Sequence, residues 1–182
     1  MNNIRGFGKS TNFQPVIKWT GSKRSQVNEI LEYFPKEIDT YYEPFCGGAS
    51  VLRGLIESDI KVDKYICSDI NSDLISLWNE IKNNPEGVFS HYQELWDILV
   101  SFGDSQEGIE EKKKFFNKVR DRFNKEKNPL DFMFIMRTTT NGMPRYNKQG
   151  DFNNSFHVTR NGIKPLSLKK IIYDWSEKLN DK

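Results

Sequence analysis

Two short stretches of this chain set glycine and acid directly after β-prone runs: Glu43-Pro44-Phe45-Cys46-Gly47-Gly48 and Ser68-Asp69-Ile70-Asn71. Gly47 and Gly48 have no Cβ, so the backbone there can approach a ligand closely. Glu43 offers a carboxylate that favours a cationic group such as a sulfonium. Asp69 stands 21 residues after Gly48, at the spacing where an acid can accept hydrogen bonds from ribose hydroxyls. Upstream, Lys18-Trp19-Thr20-Gly21-Ser22-Lys23 brings two amines, an indole and a glycine together, a platform for an adenine ring or a carboxylate. Each signal alone has a plainer account: a tight turn at Gly-Gly, a helix cap at Asp69, a basic surface turn at 18–23. Together they favour a nucleoside cofactor. A phosphate-cradling loop is disfavoured, because no GxxxxGK[ST] pattern occurs.

The elements that must position these residues follow from periodicity. Val27, Ile30, Leu31 and Phe34 recur at helical spacing and predict a helix over Lys23–Phe34, ended by Pro35. Thr40–Glu43 and Lys64–Ser68 read as strands, each followed by a helix: Ala49–Ile56, then the face Leu74, Ile75, Trp78 and Ile81. Two βα units in tandem indicate an α/β fold. Beyond Pro85 the pattern becomes helical and charged, with helices at His91–Val100 and Glu107–Lys125. Asn128-Pro129 interrupts, and an apolar run, Leu130–Met136, follows. Residues 138–164 are rich in Asn, Gly, Thr and Arg and read as an exposed loop or hairpin. A last helix carries Leu168, Ile171, Ile172, Trp175 and Leu179.

Bulk properties limit the function classes. With 36% hydrophobic and 29% charged residues over 182 positions, the chain belongs with globular proteins having one core and room for a modest insertion. Its two cysteines, Cys46 and Cys67, and two histidines, His91 and His157, form no zinc-like or disulfide pattern, so no metal and a reduced, cytoplasmic setting are expected. No run approaches the ~18 apolar residues of a membrane span, so no membrane partner is expected either.

A net charge of +2 does not by itself direct the chain to nucleic acid, but its distribution does. Between Arg137 and Tyr173 lie Arg137, Arg145, Lys148, Arg160, Lys164, Lys169 and Lys170 against the single acid Asp151. Within this basic stripe, Asn141-Gly142-Met143-Pro144-Arg145-Tyr146-Asn147 combines amides, a guanidinium and an apolar wedge, the chemistries of base reading and intercalation. Arg145 is the candidate for guanine, whose O6 and N7 match its planar fork. Lys112-Lys113-Lys114 and Arg120-Asp121-Arg122 also bring cations, yet the acids among them favour a solvated amphipathic helix. His91 and His157 read as ordinary packing or surface residues.

The segments Lys18–Lys23, Glu43–Val51 and Asp69–Leu77 resemble, in order, the N-terminal motifs of the Dam-type (D12 class) site-specific DNA adenine-N6 methyltransferases. The resemblance spans nearly the whole chain. It implies S-adenosyl-L-methionine as cofactor, contacted by Trp19, Lys23, Phe45 and Asp69 with Gly47 and Gly48 lining the pocket; the chemistry of the residues themselves adds Gly21 and Glu43 to the cofactor-binding set. It also implies a hairpin that reads double-stranded DNA, matched by Asn141-Gly142, Arg145-Tyr146-Asn147, Gly150, Phe152-Asn153 and Phe156. Met143 would be the wedge, Lys18 would point to the first base pair, and Asn141, Asn147 and Lys148 would complete the DNA-binding set. The implied target is GATC-like, although Pro144 and Asn154-Ser155-Phe156-His157 depart from the Dam-like pattern.

The implied fold is a partial Rossmann-like methyltransferase domain with an inserted helical and hairpin recognition subdomain. Residues 15–84 would form the cofactor part, 85–164 the target-recognition part, and 165–182 a helix returning to the methyltransferase domain. Adenine N6 is a poor nucleophile, so transfer needs an acceptor for its amino protons and an aromatic face for the flipped base. The family supplies these in an Asp-Pro-Pro-Tyr tetrad. The seven prolines of this chain are never adjacent, so no catalytic residue is assigned. Two alternatives follow: a truncated or split methyltransferase that needs a complementing C-terminal chain, or an inactive DNA-binding module that keeps or has lost its cofactor pocket.

Overall fold

The computed structural model describes residues 13–181, except for the side chain of Asn141. Its only sheet, among the described residues, has two parallel strands, β1 (Glu37–Glu43) and β2 (Lys61–Cys67). The register runs from Glu37 opposite Lys61 to Glu43 opposite Cys67. Parallel pairing demands a crossover, here containing helix α2 (Ser50–Ile56). The ladder continues past the strands, since Ser68 N–H donates to the Glu43 carbonyl and Cys46 N–H to the Ser68 carbonyl, both at 2.9 Å. The glycine loop therefore leaves β1 while still tied to β2.

Before the sheet, a 3-10 turn (Arg24–Gln26) leads into α1 (Val27–Leu31). This is shorter than the helix expected over 23–34. Tyr33 and Phe34 donate to the carbonyls of Ile30 and Leu31, three residues back, so the last turn tightens ahead of Pro35.

Five further helices follow: α3 (Ser72–Asn83), α4 (Pro85–Ser101), α5 (Gln106–Glu126), α6 (Pro129–Thr138) and α7 (Pro165–Asn180). Four of them begin on a side-chain cap. Asn71, Asn84, Ser105 and Asn128 accept from the backbone N–H of Leu74, Gly87, Gly108 and Leu130, satisfying donors that the first helical turn leaves free. Asn128-Pro129 is thus not an interruption. Asn128 caps α6, and Pro129 takes the first helical position, where its missing N–H costs nothing.

Helix α6 is the axis of the molecule. Residues 131–136 are all buried, the pattern of a helix surrounded on every side, and α3, α4 and α5 pack against it. One hydrophobic cluster runs from Phe13, Val27 and Leu52 near the sheet through Leu77 and Phe132 to Phe152, Phe156 and Trp175. The helical segment and the sheet side therefore share a core. Two ion networks, each centred on a buried side chain, fasten it. The Arg53 guanidinium of α2 reaches both carboxylate oxygens of Asp174 on α7 at 2.8 and 2.9 Å, and also binds Glu57. Asp131 on α6 binds His91 of α4 at 2.7 Å and Arg122 of α5. Burial alone would raise the Asp131 pKa, but the hydrogen bonds from His91 and Arg122 outweigh it and hold the carboxyl below its ordinary range.

The segment between α6 and α7 is not simply exposed. Antiparallel bridges pair Thr139 with Phe156 and Tyr146 with Phe152, while Phe152, Asn154 and Phe156 are buried. These three alternate along the chain and turn one face inward, a period-two pattern that the polar composition concealed. No described helix is long and apolar enough to cross a membrane.

Candidate functional site

The carboxyl ends of β1 and β2 open onto a cavity of ≈ 260 Å³ lined by Trp19–Lys23, Glu43, Phe45–Gly48, Ser50, Val51 and Asp69. All eight positions assigned to cofactor contact from the sequence (Trp19, Gly21, Lys23, Glu43, Phe45, Gly47, Gly48 and Asp69) lie on this one wall set. The joint between its two halves is direct: Gly47 N–H donates to Asp69 Oδ2 at 2.9 Å. Asp69 Oδ1 accepts from Asn71 N–H at 3.0 Å. The opposite end of the Gly47 residue is also held, since Trp78 Nε1 donates to the Gly47 carbonyl at 2.9 Å.

The loop needs glycine at position 47 for two reasons. Its φ is +49°, a region that side chains resist, and a Cβ there would come within 2.8 Å of Trp19 Cδ1. Trp19 thus lies across the loop as its cover. Ala49 also adopts a positive φ of 53°, unusual for a residue with a Cβ, and sits immediately before α2. Across the cavity the hydroxyls of Ser22 and Ser50 meet at 2.8 Å, tying the 19–23 segment to the start of α2.

Electrostatics single out Glu43. Burial pushes the Glu43 carboxyl up to about 7, against hydrogen bonds from the Tyr41 hydroxyl and the Leu52 N–H that favour its ionised form. Burial, followed by the nearby Glu43 charge, pushes the Cys46 and Cys67 thiols up to about 12. Both stay protonated at neutral pH and are poor nucleophiles. Among the described residues no group of three or more His, Cys, Asp or Glu side chains is arranged to hold a metal ion. Phe45 in the cavity wall is 83% exposed, and Ile70, the residue after Asp69, is 96% exposed. Ile70 was not singled out from the sequence. Its only signal was its place beside the acid.

The arm formed by residues 139–157 starts beside this cavity. Gly142 has φ +61°, and a Cβ on it would meet Lys18 Cβ at 2.7 Å, so Lys18, at the head of the cavity segment, packs against the arm's first turn. Of the expected DNA-binding residues, Lys18, Arg145 and Lys148 are exposed and Met143 is 39% exposed. The side chain of Asn141 lies outside the described residues. Asn147 is engaged otherwise: its Oδ1 accepts from the N–H groups of Gln149 and Asp151 at 2.9 and 2.8 Å, closing the tip of the arm. Arg137, counted in the basic stripe, is withdrawn from it. Its guanidinium donates to the Pro15 carbonyl at 2.7 Å, and burial lowers its pKa to about 10.

Several residues that hold the arm escaped sequence reasoning. Asn154 Oδ1 accepts from Arg145 N–H and its Nδ2 donates to the Met143 carbonyl, so one buried amide fixes the backbone on both sides of Pro144. Asn124 of α5 makes the matching pair with the N–H and carbonyl of Phe152, at 2.7 and 3.0 Å. The cation-rich α5 is therefore a platform for the arm, with Lys112 buried and bound to Asp104. His91 is not isolated either, since it belongs to the Asp131 network.

The model of the D12 class N6 adenine-specific DNA methyltransferases matches residues 19–182. The type II methyltransferase M.MjaIII of Methanocaldococcus jannaschii is 38% identical over 152 residues, which cover 77% of this chain and 50% of that protein. The DNA adenine methylase of Escherichia coli strain K12 is 32% identical over 162 residues, 89% of this chain and 53% of its own length. The type II methyltransferase M.FokI of Planomicrobium okeanokoites is 29% identical over 157 residues, 86% of this chain and 22% of its own. The chain thus spans about half the length of the first two relatives.

Proposed function

This chain belongs to the D12 class of N6 adenine-specific DNA methyltransferases, and from that premise we propose that it supplies the donor-binding and target-reading parts of an enzyme that methylates adenine N6 in duplex DNA. The observation that carries the proposal is the closure of the glycine loop on Asp69 inside a cavity whose walls also bear Lys23, Glu43, Trp19 and Phe45.

That donor set suits S-adenosyl-L-methionine, which when bound supplies an activated methyl group. Each Asp69 oxygen spends one hydrogen bond on the protein and keeps a lone pair for a ribose hydroxyl. The Lys23 ammonium would pair with the donor's carboxylate, and ionised Glu43 would favour its sulfonium. Exposed Phe45 and Ile70 would flank the adenine ring.

On the DNA side, Arg145 would read guanine, Met143 would wedge into the base stack, and Lys18 and Lys148 would meet the duplex beside them. Asn141 keeps its proposed place in this set, whereas the turn bonds of Asn147 favour a structural role. The proposed division is 15–84 for the donor, 85–164 for target recognition and 165–182 as the returning helix. The sheet would be part of a larger Rossmann-like sheet, and the Asp-Pro-Pro-Tyr acceptor would come from a complementing segment. The site of action would be the cytoplasm of a bacterial or phage-infected cell, where its DNA substrate lies. A GATC-like target is the sequence to test first.

Incubating the purified chain with methyl-labelled donor and GATC duplex tests the assignment. Donor retained on the protein and displaced by excess S-adenosylhomocysteine, with no label passed to DNA, is the expected result. Label transferred to DNA by this chain alone would overturn the placing of the acceptor elsewhere, and no donor retention would overturn the cofactor reading.

A further inference from the structure

Asp69, Asn71 and Asp73 alternate along five residues, and together they join two distant parts of the molecule. Asp69 holds Gly47 of the loop and the N–H of Asn71. Asn71 caps α3 with its Oδ1, and its Nδ2 donates to the Tyr146 hydroxyl oxygen at 3.1 Å. The same hydroxyl donates to Asp73 Oδ2 at 2.9 Å. Tyr146 lies between Arg145 and the arm's tip, and its ring meets Phe152 edge-on at 5.8 Å. Phenylalanine would keep that ring contact. The hydroxyl serves only the two bonds to α3's first turn, 73 and 75 residues away in sequence.

We infer that Tyr146 is a positioning residue that couples the donor pocket to the DNA-reading arm. A ligand that engages Asp69 steadies the start of α3, and Asn71 and Asp73 carry that order through one phenol to the backbone that presents Arg145. The inference rests on the pocket and arm reading proposed above. The observation behind it is a continuous chain of hydrogen bonds between the two sites, and the energetic coupling it would carry is what the exchange experiment measures. Linkage is reciprocal: duplex held by the arm tightens donor binding by the factor with which donor tightens duplex binding.

Hydrogen exchange on the full chain decides it. In the free protein, Asp69→Ala should speed exchange about tenfold, within the roughly 5- to 150-fold range of such couplings, in residues 143–154 as well as in 46–49. Should that variant fail to fold, Asp69→Asn, which keeps one acceptor oxygen, replaces it. Saturating S-adenosylmethionine should slow exchange in 143–154 of the wild type, whereas in Tyr146→Phe it should slow only 46–49 and 69–71. A merely structural tyrosine would loosen the arm equally with and without donor and leave the donor-induced slowing intact. Either that result, or an arm indifferent to the Asp69 substitution, overturns the coupling. Absence of any donor-induced slowing in the wild type would count against the cofactor reading, while the ligand-free comparison still decides the coupling.

Discussion

The cavity at the strand ends and the arm of residues 139–157 hold their polar groups in place in opposite ways. In the cavity the groups that would meet the ligand also hold the structure. Asp69 ties down Gly47, Glu43 accepts from Leu52 N–H, and Trp19 covers the glycine loop. In the arm the tasks are divided. Asn154, Asn147, Tyr146 and Phe152 do the holding, while Arg145 and Lys148 project from a backbone fixed by others. A site built on backbone geometry has no residue to spare, whereas one built on separate anchors can change its readers without losing its shape.

The comparison breaks most sharply at Gly47. Gly47→Val combines a disfavoured φ with a collision against Trp19, so retention of labelled donor in equilibrium dialysis should fall at least about 100-fold, corresponding to roughly 3 kcal/mol. Duplex affinity measured without donor should change far less. The reciprocal test is Asn154→Ala, which strands Arg145 N–H and the Met143 carbonyl. Each part-buried group left without its partner costs about 1 kcal/mol, so urea unfolding should register a loss of roughly 2 kcal/mol. Duplex binding should weaken more than donor binding.

Arg145→Ala probes the proposed reader rather than an anchor. It should cost about 1–3 kcal/mol on the preferred site and leave stability within roughly 0.5 kcal/mol. Gel-shift titrations against preferred and scrambled duplexes measure the difference. Equal losses on both would mean that Arg145 meets phosphate rather than base.

The smallest effect on ligand affinity is expected from pH. With its pKa raised to about 7, Glu43 keeps its proton in the folded state after the unfolded chain has released it. Stability from this group therefore falls as pH rises from the ordinary carboxylate range to about 7. Affinity for a sulfonium donor should move the other way, rising a few-fold between pH 6 and 8 as Glu43 ionises. Glu43→Gln should flatten both profiles in parallel thermal-melt and dialysis series.

The cavity was legible because its chemistry is local. Glycines after a strand, an acid after the next and a Trp–Lys turn before the first helix each declare themselves within six residues. The arm's exposed groups were legible for the same reason. Its anchors were not, because Asn124–Phe152 and Tyr146–Asp73 pair across 28 and 73 residues, and an asparagine that clamps a backbone looks in sequence like one that reads a base. Helix α6 was obscured by Asn128-Pro129, which mark a break or a helix start equally well until packing decides. The alternation of Phe152, Asn154 and Phe156 was present in the sequence but outweighed by the polar residues between them.

Calorimetric titration of the full chain with S-adenosylmethionine, beside Asp69→Ala, is the most direct trial of the central claim. One donor per chain, with binding at least about tenfold weaker in a variant that remains folded, is the predicted result. A folded wild type that takes up no donor, or an Asp69→Ala chain that binds it equally well, would contradict the account.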